Sequence, residues 1–300
     1  MTAIIRPTRQ LHTIDQWLAT DPTIRAEVLR NIKLKDRLYR WLVEHEKKDK
    51  KLTEATWKKC GECDGVGHYL KEPRYDGIHP SQLPHPCMLK IFNDMIGVKG
   101  EMRHEARLLL IFALGTAAHK MFQGYGDKGA WGPHYRKEAA IQADLQELAE
   151  TLMIEGHADA DNILTIEEIP GVIIEIGLVH EYKTINSNGF EKLTRPKPEH
   201  KTQAMVYSAA LNRPVVVYMY LNKNDSNIAD FPVPFEPELW QTINQKCETL
   251  LGYYSHHEAV TSQGGTPTLP PAEVGFHCKD CEHSSTCPPY REHLTQLKKR

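Results

Sequence analysis

The chain of 300 residues has no apolar run approaching the ~18 residues that span a bilayer, which sets aside a helical membrane protein. Its opening stretch, MTAIIRPTRQLHTID, lacks the apolar centre of a secretory leader, so a cytoplasmic location is expected. There is no internal repeat and no low-complexity segment, and solenoid or tail-like architectures fall away with them. An excess of one charge is also missing. The net charge is −2, so any electrostatic footprint for nucleic acid has to be local. Residues 1–60 do carry 14 Lys+Arg against 8 Asp+Glu, about +6, which leaves about −8 for the remainder. Cysteine is scarce, at seven residues, and in a cytoplasmic chain such thiols suit metal ligation better than disulfides. What remains is a globular composition, 40% hydrophobic and 25% charged, enough for one large domain or a domain with an extension.

Asp21-Pro22 reads as a helix start, a capping carboxylate followed by proline at the first helical position. Ile24, Val28, Ile32, Leu38, Trp41 and Leu42 then keep helical spacing through residues 22–46, and Arg25, Lys33, Arg37 and Arg40 form a basic face that reads first as solvated. The run KKDKK at 47–51 ends this helix, and residues 52–90 are loop-rich. A long helix is predicted over 100–123, including Leu108, Leu109, Phe112, His119 and Phe122, with Gly124 as its stop. Strand-like segments follow near 135–142, 151–160, 163–168 and 171–185, then a helix over 200–212 and a strand over 214–222. A turn at Asn224-Asp225 leads to a partner strand ending near Phe235, a helix over 236–256 and a loop over 261–275. The fold class is therefore α/β (α+β), a mixed central sheet flanked by helices. Residues 1–79 read as a helical, loop-rich extension and 80–300 as the core.

The informative stretch is GVIIEIGLVHEYKTIN, residues 171–186. Glu181 and Lys183 lie one pleat apart on one face of this strand, and such a pair is costly to bury unless something uses it. In GHADAD, residues 156–161, a glycine turn delivers Asp159 onto a neighbouring strand, with Asp161 on the same face as a fallback ligand. Two carboxylates and a lysine converging from adjacent strands suit a hard divalent cation and an activated water. Bland readings compete at each position. The Glu181–Lys183 pair can be a solvated cross-strand pair, and His119 a satisfied core histidine. Gln203 and Tyr207, with His200 a turn earlier, can be plain helix surface, and Glu138 and Glu155 read as structural.

The order of His119, Gly156-x2-Asp159, Glu181-x-Lys183 and Gln203-x3-Tyr207 resembles the PD-(D/E)XK nuclease superfamily, specifically its RecB-type exonuclease branch, over roughly residues 80–290. The resemblance implies a restriction-endonuclease-like core and a metal-dependent deoxyribonuclease acting on single-stranded DNA or free ends. It implies that Asp159 and Glu181 hold Mg²⁺ or Mn²⁺ with His119 and the carbonyl of Tyr182. Lys183 would polarise the attacking water, and Gln203 and Tyr207 would line the groove. A non-cleaving nucleic-acid-binding module and a structure-specific endonuclease with the same site are the alternatives. The N-terminal helix, with Arg37, Tyr39, Arg40 and Trp41, is a candidate surface for DNA or for a helicase or recombination partner.

Cys278, Cys281 and Cys287 form C-x2-C-x5-C, and Cys87 is the candidate fourth ligand. One upstream cysteine with a C-terminal triplet resembles the iron–sulfur nucleases, among them AddB-type subunits, CRISPR-adaptation nucleases and their phage relatives. That resemblance implies a [4Fe–4S] cluster, although zinc accepts the same thiolates. Such a site would be structural, a staple across a closed loop of 191 residues. Cys60 and Cys63, in KCGECDGVGHY, look like half of a zinc knuckle. His68, His79 or His85 would complete that site, or one of the two cysteines would replace Cys87. Cys247 reads as a small buried hydrophobe.

Overall fold

The computed structural model describes residues 8–46, 77–98, 100, 106–137, 151–154, 156–167 and 169–297. Its first elements are β1 (Thr8–Leu11), α1 (Ile14–Leu18), α2 (Pro22–Asn31), α3 (Leu34–Glu46), α4 (Met88–Met95) and α5 (Ala106–Asp127). Then come β2 (Arg136–Lys137), β3 (Ala160–Ile166), β4 (Ile173–Ile185), α6 (Ser187–Glu191) and α7 (Pro198–Ala210). The chain ends with β5 (Val215–Asn222), β6 (Ile228–Pro234), α8 (Pro237–Thr261) and α9 (Pro288–Leu297); short 3-10 turns lie at Pro80–Gln82 and Phe276–Lys279.

The strands form one mixed sheet in the order β2-β3-β4-β5-β6, with β1 added in parallel against the first half of β4. β4 is antiparallel to β3 and parallel to β5, and β6 returns antiparallel to β5. This is the expected class, a central mixed sheet flanked by helices. The alternation of β4 explains the layers. Ile174, Ile176, Leu178 and Tyr182 face a core built with Trp17, Val28, Leu34 and Leu38 of the N-terminal helices and Phe122 and Trp131. Val179 and Ile185 face the other way, against Ala204 and Tyr207 of α7. The outer side of α7, with Met205 and Val206, packs on Ile91 and Phe92 of α4 and on Ile243 and Leu250 of α8. α7 is thus held on two sides, and each buried aliphatic or aromatic side chain contributes about 1.5–3 kcal/mol.

Several expectations are corrected. The helix over 22–46 is two helices, because Ile32 is extended (φ −77°, ψ 101°). A distant residue sets the break: Asp230 of β6 accepts the Lys35 N–H at 3.0 Å and caps the start of α3. The strands expected near 151–160 and 163–168 resolve into β3 alone. Residues 151–152 are helical, and Ile154 makes an isolated bridge to Ile78. α5 runs past Gly124 and closes at Gly129 (φ +90°), where Gly129 N–H donates to Gly126 O at 2.8 Å and Ala130 N–H to Tyr125 O at 3.1 Å. That pair of bonds is a Schellman closure, and it needs the left-handed residue that glycine supplies. α8 extends five residues past 256, and β1, α4, α6 and α9 were not foreseen. Cys60, Cys63, His68, Glu138, Glu155 and the run 47–51 lie outside the described residues.

The N-terminal helices pack on the sheet. Trp41 packs against the sheet core, its ring 5.8 Å from that of Tyr125, and Arg37 donates to the Thr165 carbonyl at 3.0 Å. Tyr39 and Arg40 remain outward.

Candidate active site and cysteine pocket

β3 begins at Ala160, opposite His180, while β4 runs on to Ile185 with β5 beside it. The step left on the β3 side of β4 is where the predicted residues meet. Asp159 lies one residue ahead of β3, not within it as predicted, and its side chain caps the step. Its Oδ2 accepts the Tyr182 N–H at 2.6 Å, and its Oδ1 is 2.8 Å from His119 Nδ1 on α5. A residue's N–H and C=O point to the same side of an extended strand, so the Tyr182 carbonyl also faces the step. Glu181 and Lys183 are ion-paired on the α7 face, with Glu181 1% exposed. Lys183 Nζ also donates to Gln203 Oε1 at 3.2 Å. The buried Tyr207, one turn beyond Gln203, explains Gly156: a Cβ there would lie 2.9 Å from the Tyr207 hydroxyl and 2.7 Å from Pro80 Cδ.

The charges are interdependent. Burial opposes protonation of His119, but its bond to Asp159 and that residue's charge outweigh burial and raise its pKa. Burial likewise works against charge on Lys183, and the attraction of Glu181 overrides it, so the lysine pKa is raised. On Glu181 burial, reinforced by the charge of Asp159, raises the pKa against the pull of Lys183. Two carboxylates in one buried notch therefore have more negative charge than the protein itself neutralises. Hard oxygen donors with that surplus suit a divalent cation. Asp159, Glu181 and His119 are not drawn in to single-ion spacing. Among the described residues, the trio whose donor atoms all lie within 4.8 Å is Asp94, Glu282 and His283.

Asp161 is a correction. It shares the face of Asp159 but is fully buried between two guanidiniums, Arg136 at 2.6 Å and Arg213 at 2.7 Å. It ties β2 and the turn after α7 to the sheet and is not free to serve a metal. His200 bonds the Tyr220 hydroxyl at 2.8 Å. Gln123, missed by the sequence reading, donates from α5 to the Asp159 carbonyl at 3.0 Å. Its i+4 spacing from His119 was the available signal.

The four cysteines Cys87, Cys278, Cys281 and Cys287 line one pocket of about 370 Å³ between the start of α4 and the C-terminal segment. His85 and His277 meet edge-on across its two walls, ring centres 5.0 Å apart. Lys246 of α8 holds the loop ahead of Cys87 by donating to the carbonyls of Leu83 (2.9 Å) and His85 (2.6 Å). Backbone N–H groups already point at sulfur, Gly275 to Cys278 at 3.4 Å and His283 to Cys281. Tetrahedral zinc, with Zn–S of about 2.3 Å, holds its sulfurs about 3.8 Å apart. The cysteine sulfurs do not form a trio within 4.8 Å among the described residues, so their spacing fits a group larger than one ion. Cys247 is buried outside the pocket, its thiol pushed up to about 12 by burial, as expected of a small hydrophobe. His79 caps the 3-10 turn at Pro80–Gln82.

No family model matches the chain, and neither does any curated protein. Solved structures with a distant likeness include one named SSO0001, 15% identical with a TM-score of 0.34, covering 85% of this chain and 96% of that one. An alkaline exonuclease (LHK-Exo) from Laribacter hongkongensis is 12% identical with a TM-score of 0.39, covering 64% of this chain and 94% of that chain. The same exonuclease in complex with dAMP is 13% identical with a TM-score of 0.37 over the same shares, 64% and 94%. Among the described residues, no helix is long and apolar enough to cross a membrane.

Proposed function

We propose that the chain is a metal-dependent deoxyribonuclease with a restriction-endonuclease-like core of the RecB type, hydrolysing phosphodiester bonds in single-stranded DNA or at free ends. The observation that carries this reading is the notch at the start of β3. There Asp159, His119, Glu181, Lys183 and Gln203 arrive from separate elements on one buried carboxylate–ammonium pair. Mg²⁺ or Mn²⁺, held by Asp159, Glu181 and the Tyr182 carbonyl with His119 beside them, would supply the acidified water and neutralise the phosphate. The chain's own part is positional. Glu181 and Gln203 fix the Lys183 ammonium beside the reacting phosphate, where a preformed positive charge stabilises the transition state. Asp159, oriented by His119 and the Tyr182 N–H, holds the second carboxylate in register. The pocket of Cys87, Cys278, Cys281 and Cys287 would hold a [4Fe–4S] cluster, a reading its sulfur spacing favours over zinc.

The test is release of labelled nucleotides from linear single-stranded DNA in Mn²⁺, using anaerobically purified protein with Asp159→Asn and Lys183→Ala alongside. The native protein should cleave, and each variant should lose at least about 100-fold in rate while keeping its fold. Equal cleavage by all three would place the activity elsewhere. DNA binding without cleavage by the native protein would make the chain a non-catalytic module, and cleavage of a circular substrate an endonuclease.

A further inference from the structure

We infer that His283 is a nitrogen donor to the metal group of the cysteine pocket, its ring fixed by Asp94; the inference rests on the metal reading of that pocket. His283 lines the pocket and is 3% exposed. Its backbone sits among the proposed ligands: its N–H points at the Cys281 sulfur, and its carbonyl accepts from Cys287 N–H at 2.9 Å. The ring Nε2 is 2.9 Å from Asp94 Oδ1. Asp94 is ion-paired with Lys90 and accepts Gln82 Nε2 at 2.7 Å, so it is a carboxylate that only accepts. Nε2 must therefore carry the ring proton, and Nδ1 presents a lone pair. That Nδ1 is buried and has no hydrogen-bond partner.

A buried acceptor left this way costs about 1–3 kcal/mol, a cost that a metal contact removes. Asp94, Glu282 and His283 might be read as an ion site of their own, since their donor atoms cluster. Lys90 argues against that: its ammonium pairs with both Asp94 and Glu282, and so already occupies the cation's place. What the trio does instead is lock the imidazole. A carboxylate behind one ring nitrogen is the arrangement that orients a metal-bound histidine through the other.

The test reconstitutes anaerobic protein with ferrous iron and sulfide, then follows metal content, visible absorption and the rate of iron loss to EDTA. His283→Gln can keep the Asp94 contact, because its amide reaches the place of Nε2, while removing Nδ1. It should lose iron at least about tenfold faster than native, with a shifted absorption band and an unchanged circular dichroism spectrum. Asp94→Asn, which leaves the ring but weakens its anchor, should move release the same way by a smaller factor. Native release kinetics and spectrum in both variants would overturn the inference. Cys278→Ser separates the two readings. If it loses iron while His283→Gln does not, only the role of His283 falls. If Cys278→Ser also retains iron as native, the cysteine reading falls and takes His283 with it.

Discussion

His200 sits one turn ahead of Gln203 on α7, bonded to the Tyr220 hydroxyl. Burial first, and then the charges of Lys183 and Lys197, lower its pKa to about 3. An unfolded chain returns the group to about 6.5. Between those values the unfolded state binds a proton that the folded state refuses. The stability is therefore whole above pH 6.5 and declines as pH falls toward 3, by up to about 1.4 kcal/mol per pH unit. His200→Gln keeps a hydrogen-bonding side chain and removes the titration. Urea unfolding at pH 7 and pH 5 should show the native protein losing more stability on acidification than the variant, by on the order of 1–2 kcal/mol. Parallel losses would mean that His200 protonates in the folded state as readily as in the unfolded one.

At the scale of elements, the notch depends on how closely α7 approaches the loop before β3. Gly156 is the point of contact, with no room for a methyl group beside Pro80 and Tyr207. Gly156→Ala should destabilise the fold by about 1–3 kcal/mol through overpacking, and slow cleavage by displacing Tyr207 and Gln203 together. A native unfolding midpoint in that variant would show that the loop yields freely. Much of this arrangement was legible in the chain. The apolar run before Glu181 marked β4, and the period of two placed Glu181 and Lys183 on one face. The i, i+4 spacing of Gln203 and Tyr207 placed them on one helix face, and Pro and Gly marked most boundaries. What escaped was long-range. The four residues of β1 carry no pattern of their own and become a strand only because β4, over 160 residues later, offers its edge. The break at Ile32 is set by Asp230, and Asp161 is fixed in its role by Arg136 and Arg213, none of them near in sequence. Local periodicity holds no record of such partners.

For the whole molecule, the cysteine pocket joins α4, which packs on α7 and α8, to the C-terminal segment. If the proposed cluster staples these ends, its loss should loosen both packed faces of α7 at once and not only the tail. Cys278→Ser should lower stability by on the order of 5 kcal/mol or more in a single transition, seen alike by circular dichroism and by fluorescence of Trp17, Trp131 and Trp240. A separate early transition confined to one probe would make the pocket a local fastening. The pocket also bears on how the protein is made. Two hundred residues separate Cys87 from Cys287, and a ribosome adding about 5–20 residues per second leaves the first thiol waiting roughly 10–40 s for the last. Throughout that interval α4 has neither α7 nor α8 to lie against, so Cys87 emerges unprotected. Assembly of the metal group is then an event after translation, and the yield of intact protein should depend on how reducing the cell is while the chain is being born.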